Sequence, residues 1–152
     1  PSLRDHLPIG AEFESLAVLG QCRQVKEGKD LVIITYGAMV HRSLEAAAQL
    51  EEEGIEACVL DLRTLSPLDE SGITDAVKQS GKVIIVHEDT RSHGMAGEVT
   101  ALINEHAFEW LDAPIKRVTA PNTPVPYHAN LEKAFAPSVT AIFSTAKSLL
   151  EY

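Results

Sequence analysis

The sequence predicts an α/β fold: a three-layer α/β/α sandwich around a mostly parallel sheet of about five strands, with one antiparallel edge strand. Three observations predict it. Short runs rich in Val and Ile recur along the chain at strand length. Between them lie segments whose apolar residues return every three or four positions. Glycines stand at the junctions, at Gly28, Gly37, Gly54 and Gly81.

Each element follows from its residues. Leu31–Tyr36 is β-branched and bounded by Gly28 and Gly37, which reads as a buried strand. Ala38–Glu53 carries Val40, Leu44, Ala47 and Leu50 on one helical face and Arg42, Glu45, Gln49 and Glu52 on the other. Ile55–Leu60 is the next strand. Asp69 is placed to cap a helix over Glu70–Ser80, which Gly81 ends. Lys82–His87, with Val-Ile-Ile-Val inside it, is the clearest strand. Gly94–Glu109 puts Val99, Leu102, Ile103, Ala107 and Trp110 on one stripe. Ile115–Thr119 is a further strand. Three prolines make residues 121–126 irregular, and a short helix is expected around Leu131–Phe135. Ser138–Leu150 closes the chain as an amphipathic helix. Upstream, Ala17–Lys26 reads as a weaker strand. The short link to Leu31 favours a hairpin, hence an antiparallel edge. Residues 1–16 read as a linker or arm, and 17–152 as a single domain.

Composition limits what such a domain does. The chain has 152 residues and a formal charge of −9, which disfavours phosphate backbones and anionic lipid and attracts basic partners. No apolar run reaches the ~20 residues that span a bilayer. The two cysteines, Cys22 and Cys58, make neither a disulfide framework nor a zinc ligand set, and a reducing compartment fits them. The chain starts at Pro1 without Met, which suggests a piece of something larger.

Its motifs are thin one by one. There is no GxxxxGK[ST], GxGxxG or GxSxG. Tyr36-Gly37-Ala38 and His93-Gly94-Met95-Ala96-Gly97 sit at helix starts, where an anion could bind; tight turns are the plainer reading. His87, Glu88, Asp89 and His93 give four metal-ligand types within seven residues, beside a strand end, the usual place for function in open α/β sheets. A buried His–Glu pair holding loops together is the plainer reading of them. Asp61 and Arg63, two apart past a strand, point the same way on extended backbone and could pair or hold a neighbouring loop.

The ordered set is more specific than its parts. Ile33-Ile34-Thr35-Tyr36-Gly37-Ala38-Met39-Val40, Asp61-Leu62-Arg63-Thr64-Leu65-Ser66-Pro67-Leu68-Asp69, His87-Glu88, Gly94-Met95-Ala96-Gly97-Glu98-Val99, Ala113-Pro114-Ile115-Lys116-Arg117-Val118 and Pro121-Asn122-Thr123-Pro124-Val125-Pro126-Tyr127 follow in turn. Together they resemble the C-terminal, transketolase C-terminal-like domain of the E1 β subunit of thiamine-diphosphate-dependent 2-oxo acid dehydrogenases of the pyruvate and branched-chain type. The resemblance runs over about residues 20–152. The sequence departs from it at His93-Gly94-Met95, where the family often has Gly-Gly-Phe, and in the more polar loop Asp89-Thr90-Arg91-Ser92.

The resemblance implies a part of an oxidoreductase that decarboxylates a 2-oxo acid, with thiamine diphosphate and Mg2+ held by other domains. It implies no catalytic, cofactor or metal residue on this chain, and an inactive isolated domain. It implies as partners the E1 α and N-terminal β portions, a second copy of the chain, and a small basic peripheral-subunit-binding domain of the E2 acyltransferase. It implies no nucleic acid and no membrane, and a location in the bacterial cytoplasm or mitochondrial matrix. Asp61, Arg63, His87 and Glu88 become candidates for holding turns against neighbouring domains, and should be hydrogen-bonded. Glu109, Asp112, Glu151 and Tyr152 with its carboxylate become E2-docking candidates. Two other readings stay open: the C-terminal domain of a transketolase-like or deoxyxylulose-phosphate-synthase-like enzyme, and a free-standing small-molecule binder using His87, Glu88 and His93.

Overall fold

The computed structural model describes residues 18–152; the expected arm over 1–16, and the first residue of the expected strand Ala17–Lys26, lie outside them. The strands are β1 (Arg23–Lys26), β2 (Leu31–Thr35), β3 (Ala57–Asp61), β4 (Val83–Thr90) and β5 (Lys116–Ala120). The helices are α1 (Met39–Glu52), α2 (Glu70–Ser80), α3 (Met95–His106), α4 (Ala129–Phe135) and α5 (Val139–Leu150). They form one sheet in the order β1-β3-β2-β4-β5. All neighbours run parallel except β1 with β3.

Alternation along the central strands divides the core in two. Leu31, Ile33, Val59, Ile84 and Val86 face α1 and α5, joining Leu50, Ile142 and Leu149. Val32, Ile34, Leu60, Val83 and Ile85 face α2 and α3, joining Ile73, Val77, Val99 and Ile103. All of β2 is buried. A strand covered on both faces reads as a continuous apolar run, which is why this one was visible in the sequence. Each such side chain contributes roughly 1.5–3 kcal/mol on burial.

Three boundaries differ from expectation. β1 forms the antiparallel edge, but not as a hairpin with its successor: Arg23 pairs with Asp61 and Lys26 with Val59 of β3. Both sides of β2 are already taken, by β3 and β4. Residues 27–30 therefore carry the chain across the start of β3. Asp30 N donates to Glu56 O at 3.0 Å, and Glu56 N to Asp30 Oδ2 at 2.7 Å. Gly28 makes the crossing possible, since a Cβ there would lie 2.3–2.5 Å from backbone atoms of residues 56–58.

α3 stops at His106 and Ala107 leaves helical geometry, with φ −145°. A 3-10 turn over Phe108–Trp110 follows. Trp110 thereby comes off the buried stripe and is 47% exposed. β4 runs on past His87 to Thr90, with an irregular register against β5 between those residues.

Candidate functional site

The carboxyl ends of β2, β3 and β4 meet the start of α3. His87 is the centre of this edge. It is fully buried, on the β4 side that faces α3. Its Nε2 accepts from the Ala96 amide at 3.2 Å, one of the free N–H groups of the first turn of α3. Tyr36 stacks on it with ring centroids 6.1 Å apart and planes 21° apart. Gly94 closes the lid: a Cβ there would lie 2.6 Å from His87 Cε1 and 2.3 Å from Thr90 O.

The electrostatics fit a neutral imidazole. Burial pushes the His87 pKa below its ordinary value; Asp89 opposes this and Arg117 adds to it. An Nε2 that accepts an N–H carries no proton, so the remaining proton sits on Nδ1. Nδ1 has no hydrogen-bond partner among the described residues. Burial, then Asp89 and Glu88, pushes the Tyr36 hydroxyl up.

The other candidates spread out from this point. Glu88 follows His87 on the strand and is exposed. His93 is exposed in the loop, with φ +62°. His87, Glu88 and His93 do not converge. Among the described residues no group of three or more His, Cys, Asp or Glu side chains could hold a metal ion. A divalent ion of the kind the resemblance assigns to the parent enzyme finds no ligand set there.

Asp61 and Arg63 form no ion pair. Instead the Arg63 amide donates to Asp61 Oδ1 at 3.0 Å, and Arg63 takes φ +57° to do so. Its guanidinium makes no hydrogen bond within the described residues, contrary to the expectation that this group is tied down. Glu109, Asp112, Glu151 and Tyr152 lie at the opposite, amino edge, all exposed. The Asp112 amide donates to Gly81 O at 2.8 Å, and Lys82 Nζ to Leu150 O at 3.3 Å. The start of β4 is thus bracketed by the acidic turn and the end of α5.

Two latches were invisible in the sequence. Asp69 caps α2 as expected, accepting from Gly72 N at 2.9 Å, but its other oxygen accepts from Cys22 N, also at 2.9 Å. The Gly72 amide, outweighing the cost of burial, together with the Cys22 and Ser71 donors holds the Asp69 carboxyl down to about 2. Burial and Asp69 push the Cys22 thiol up to about 12, which leaves no reactive thiolate. The second latch joins Ser92 and Asn122. Ser92 N donates to Asn122 Oδ1 at 3.0 Å, and Asn122 Nδ2 to Ser92 Oγ at 2.8 Å. Both latches join residues 30 or more apart, and no local pattern announces them.

Residues 20–142 match the family model of the transketolase C-terminal domain. The chain belongs to this family. It is 44% identical to the pyruvate dehydrogenase E1 component subunit beta of Bacillus subtilis, over 99% of this chain and 45% of that one. It is 42% identical to the 2-oxoisovalerate dehydrogenase subunit beta of the same organism, over 88% of this chain and 41% of that one. Among solved structures it resembles a split-gene transketolase, described as an inactive beta4 tetramer. The TM-score is 0.75 and the identity 26%, over 87% of this chain and 42% of the other. The chain spans less than half the length of these relatives. No described helix is long and apolar enough to cross a membrane.

Proposed function

We propose that residues 17–152 are the non-catalytic C-terminal domain of a 2-oxo acid dehydrogenase E1 β component. The domain supports assembly with the E1 α and N-terminal β portions and with a second copy of itself. The assembled enzyme decarboxylates a 2-oxo acid oxidatively, using thiamine diphosphate and Mg2+ bound by other domains. It works in the bacterial cytoplasm or the mitochondrial matrix. The observation that supports this most is the 44% identity to an E1 component subunit beta along nearly the whole chain. The state of the carboxyl edge agrees with it. In open α/β sheets this edge commonly holds the ligand, yet His87 here is buried beneath Gly94 and already bonded to the protein.

A chimera tests the reading. Residues 20–152 replace the matching part of the Bacillus subtilis pyruvate dehydrogenase E1 β subunit, which is co-expressed with its α subunit. The expected result is an α/β assembly by light scattering, with pyruvate decarboxylation. A chimera that folds but never joins α contradicts the reading.

The acidic turn at the amino edge supports a second part of the proposal, docking of a basic E2 binding domain at Glu109, Asp112, Glu151 and Tyr152. Opposite charge raises encounter rate and sets orientation more than final affinity. Replacing Glu109 and Asp112 by Lys is expected to weaken E2 capture strongly at low salt. Unchanged capture removes the patch from the account.

A further inference from the structure

We propose that the outer edge of β5, with the groove between it and α5, binds an extended acidic segment of another polypeptide, which joins the sheet as an added strand. This reading stands apart from the assignment above, and from the acidic patch at the amino edge.

The first observation is topological. β5 ends the sheet, paired with β4 on one side and with no described strand on the other. An edge strand leaves a row of backbone N–H and C=O groups open to another chain. Natural edges are commonly blunted by a covering segment, a bulge or charged side chains, and β5 carries the last of these in Lys116 and Arg117, which repel a like-charged strand and admit an acidic one. Here the outer side is hollow. Two adjoining cavities of about 640 and 500 Å³ run along it, one beside Arg117–Pro121 and the other beside Ile115–Arg117. Beside the larger cavity the facing wall includes residues 133–138, and along both cavities it is α5. Its residues there, Ser144, Thr145 and Ser148, are small, and the first two hydroxyls bond back to Ala141 O at 3.2 and 2.7 Å. Along α5 the wall leaves room and contributes no charge.

Charge is the second observation, and it fixes the chemistry of the partner. The chain carries a formal −9. Nevertheless the ionic side chains lining these two cavities are all cations, Arg91, Lys116, Arg117 and Lys133, with no Asp or Glu among the lining residues. Three lysines elsewhere are matched locally: Lys26 with Glu51 at 2.7 Å, Lys29 with Glu56 at 3.2 Å, and Lys147 with Glu53. None of the four cations beside β5 has such an ion pair among the described residues. Their placement is built. The Ser92–Asn122 latch ties the loop carrying Arg91 to the segment after β5. Arg117 Nη1 reaches Arg91 O at 3.5 Å, keeping the two guanidinium-bearing residues together.

These facts select one occupant. A second copy pairing β5 to β5 about a two-fold axis would gather two sets of the same four cations at one seam, and that concentration of like charge opposes it. A nucleic acid would use the cations and leave the open N–H and C=O groups of the edge unmatched. An extended peptide satisfies donors and acceptors of the edge together. Acidic side chains on it would meet the four cations. The polar loop Asp89-Thr90-Arg91-Ser92, a departure of this sequence from the family pattern, thereby acquires a task.

The test uses the full chain and three labelled probes: a twelve-residue peptide of alternating Glu and Val, its Lys–Val counterpart, and a single-stranded DNA twelve-mer. Fluorescence anisotropy measures binding, and hydrogen exchange read by mass spectrometry locates it. The Glu–Val peptide is expected to bind, to weaken as salt rises, and to slow exchange over residues 116–120. Exchanging Arg91 and Arg117 for Glu should weaken it by about tenfold or more. Ser148→Trp, which fills the groove from an exposed position without changing charge, should weaken it as well; thermal melts confirm that both variants fold. The proposal is overturned if no peptide binds, if the Lys–Val peptide or the DNA binds as tightly, if Ser148→Trp has no effect, or if exchange in β5 stays unchanged with the acidic peptide bound.

Discussion

The two ends of the sheet are built differently. At the carboxyl edge a fully buried histidine, a glycine lid and a helix N-terminus lock together. At the amino edge Glu109, Asp112, Glu151 and Tyr152 stand exposed around the start of β4. In most open α/β folds the carboxyl edge carries the ligand. Here its central histidine is tied into the fold, while among the described residues Glu88, His93 and the Arg63 guanidinium stand free around it, and further free groups lie at the amino edge and along β5. The difference teaches that a fold can retain polar groups at its usual functional edge and use them as structure. In this account stability is concentrated at the carboxyl edge, and substitutions there should cost far more than at the amino edge.

His87→Ala should cost the most, about 3 kcal/mol in chemical denaturation, because it leaves both a cavity and an unpaired Ala96 N–H. The same residue gives a pH dependence. Its folded pKa is lowered, so the unfolded chain binds a proton first as pH falls through the ordinary value of 6.5. Stability on this account is fully present above that value and declines below it, until the folded group also titrates. His87→Gln should flatten the slope of melting temperature between pH 7 and 5. A slope unchanged in that variant would mean the histidine is not the group responsible.

A pair of glycines three residues apart sharpens the contrast. Gly94→Ala should destabilise by about 2–3 kcal/mol, since the added methyl meets backbone and a ring that cannot yield. Gly97 lies in α3 with nothing within 4 Å of a Cβ, and Gly97→Ala should stabilise by about 0.5–1 kcal/mol. Equal effects at the two sites would show that the lid is not tight.

Asp69→Ala should cost about 1–2 kcal/mol, through loss of the α2 cap. It should also speed exchange of the Cys22 amide, which the other carboxylate oxygen accepts. Because the Asp69 carboxyl is held down to about 2 against an ordinary 3.8, its contribution is present above the ordinary value and is lost as pH falls between the two. The smallest effect belongs to the amino edge. Glu109→Lys and Glu151→Gln should shift stability by no more than about 0.5 kcal/mol, as exposed positions do.

The sequence was legible wherever the determinant was local. The apolar runs of β2 and β4, the Asp69 cap and the Gly81 stop follow from residues next to one another, and the structure bears them out. Ser138 likewise caps α5, accepting from Ala141 N at 3.1 Å. Pairing was less legible. A four-residue link favours a hairpin, yet β1 joins β3 because the core strands need both sides of β2. Trp110 fits the helical period but follows Ala107, where the helix gives way. At the candidate site the residues at the strand ends were found and their bonding was not. The partner of His87 is a backbone amide nine residues on, and that of Ser92 is thirty residues away. Such contacts depend on how finished elements dock, which no local pattern encodes.

Binding of thiamine diphosphate with Mg2+ to the purified 152-residue chain, followed by titration calorimetry, tests the central claim most directly. The account predicts no saturable heat from the chain alone, and saturable binding once the α and N-terminal β portions are supplied. Saturable binding by the chain by itself, with or without turnover of a 2-oxo acid, would contradict it.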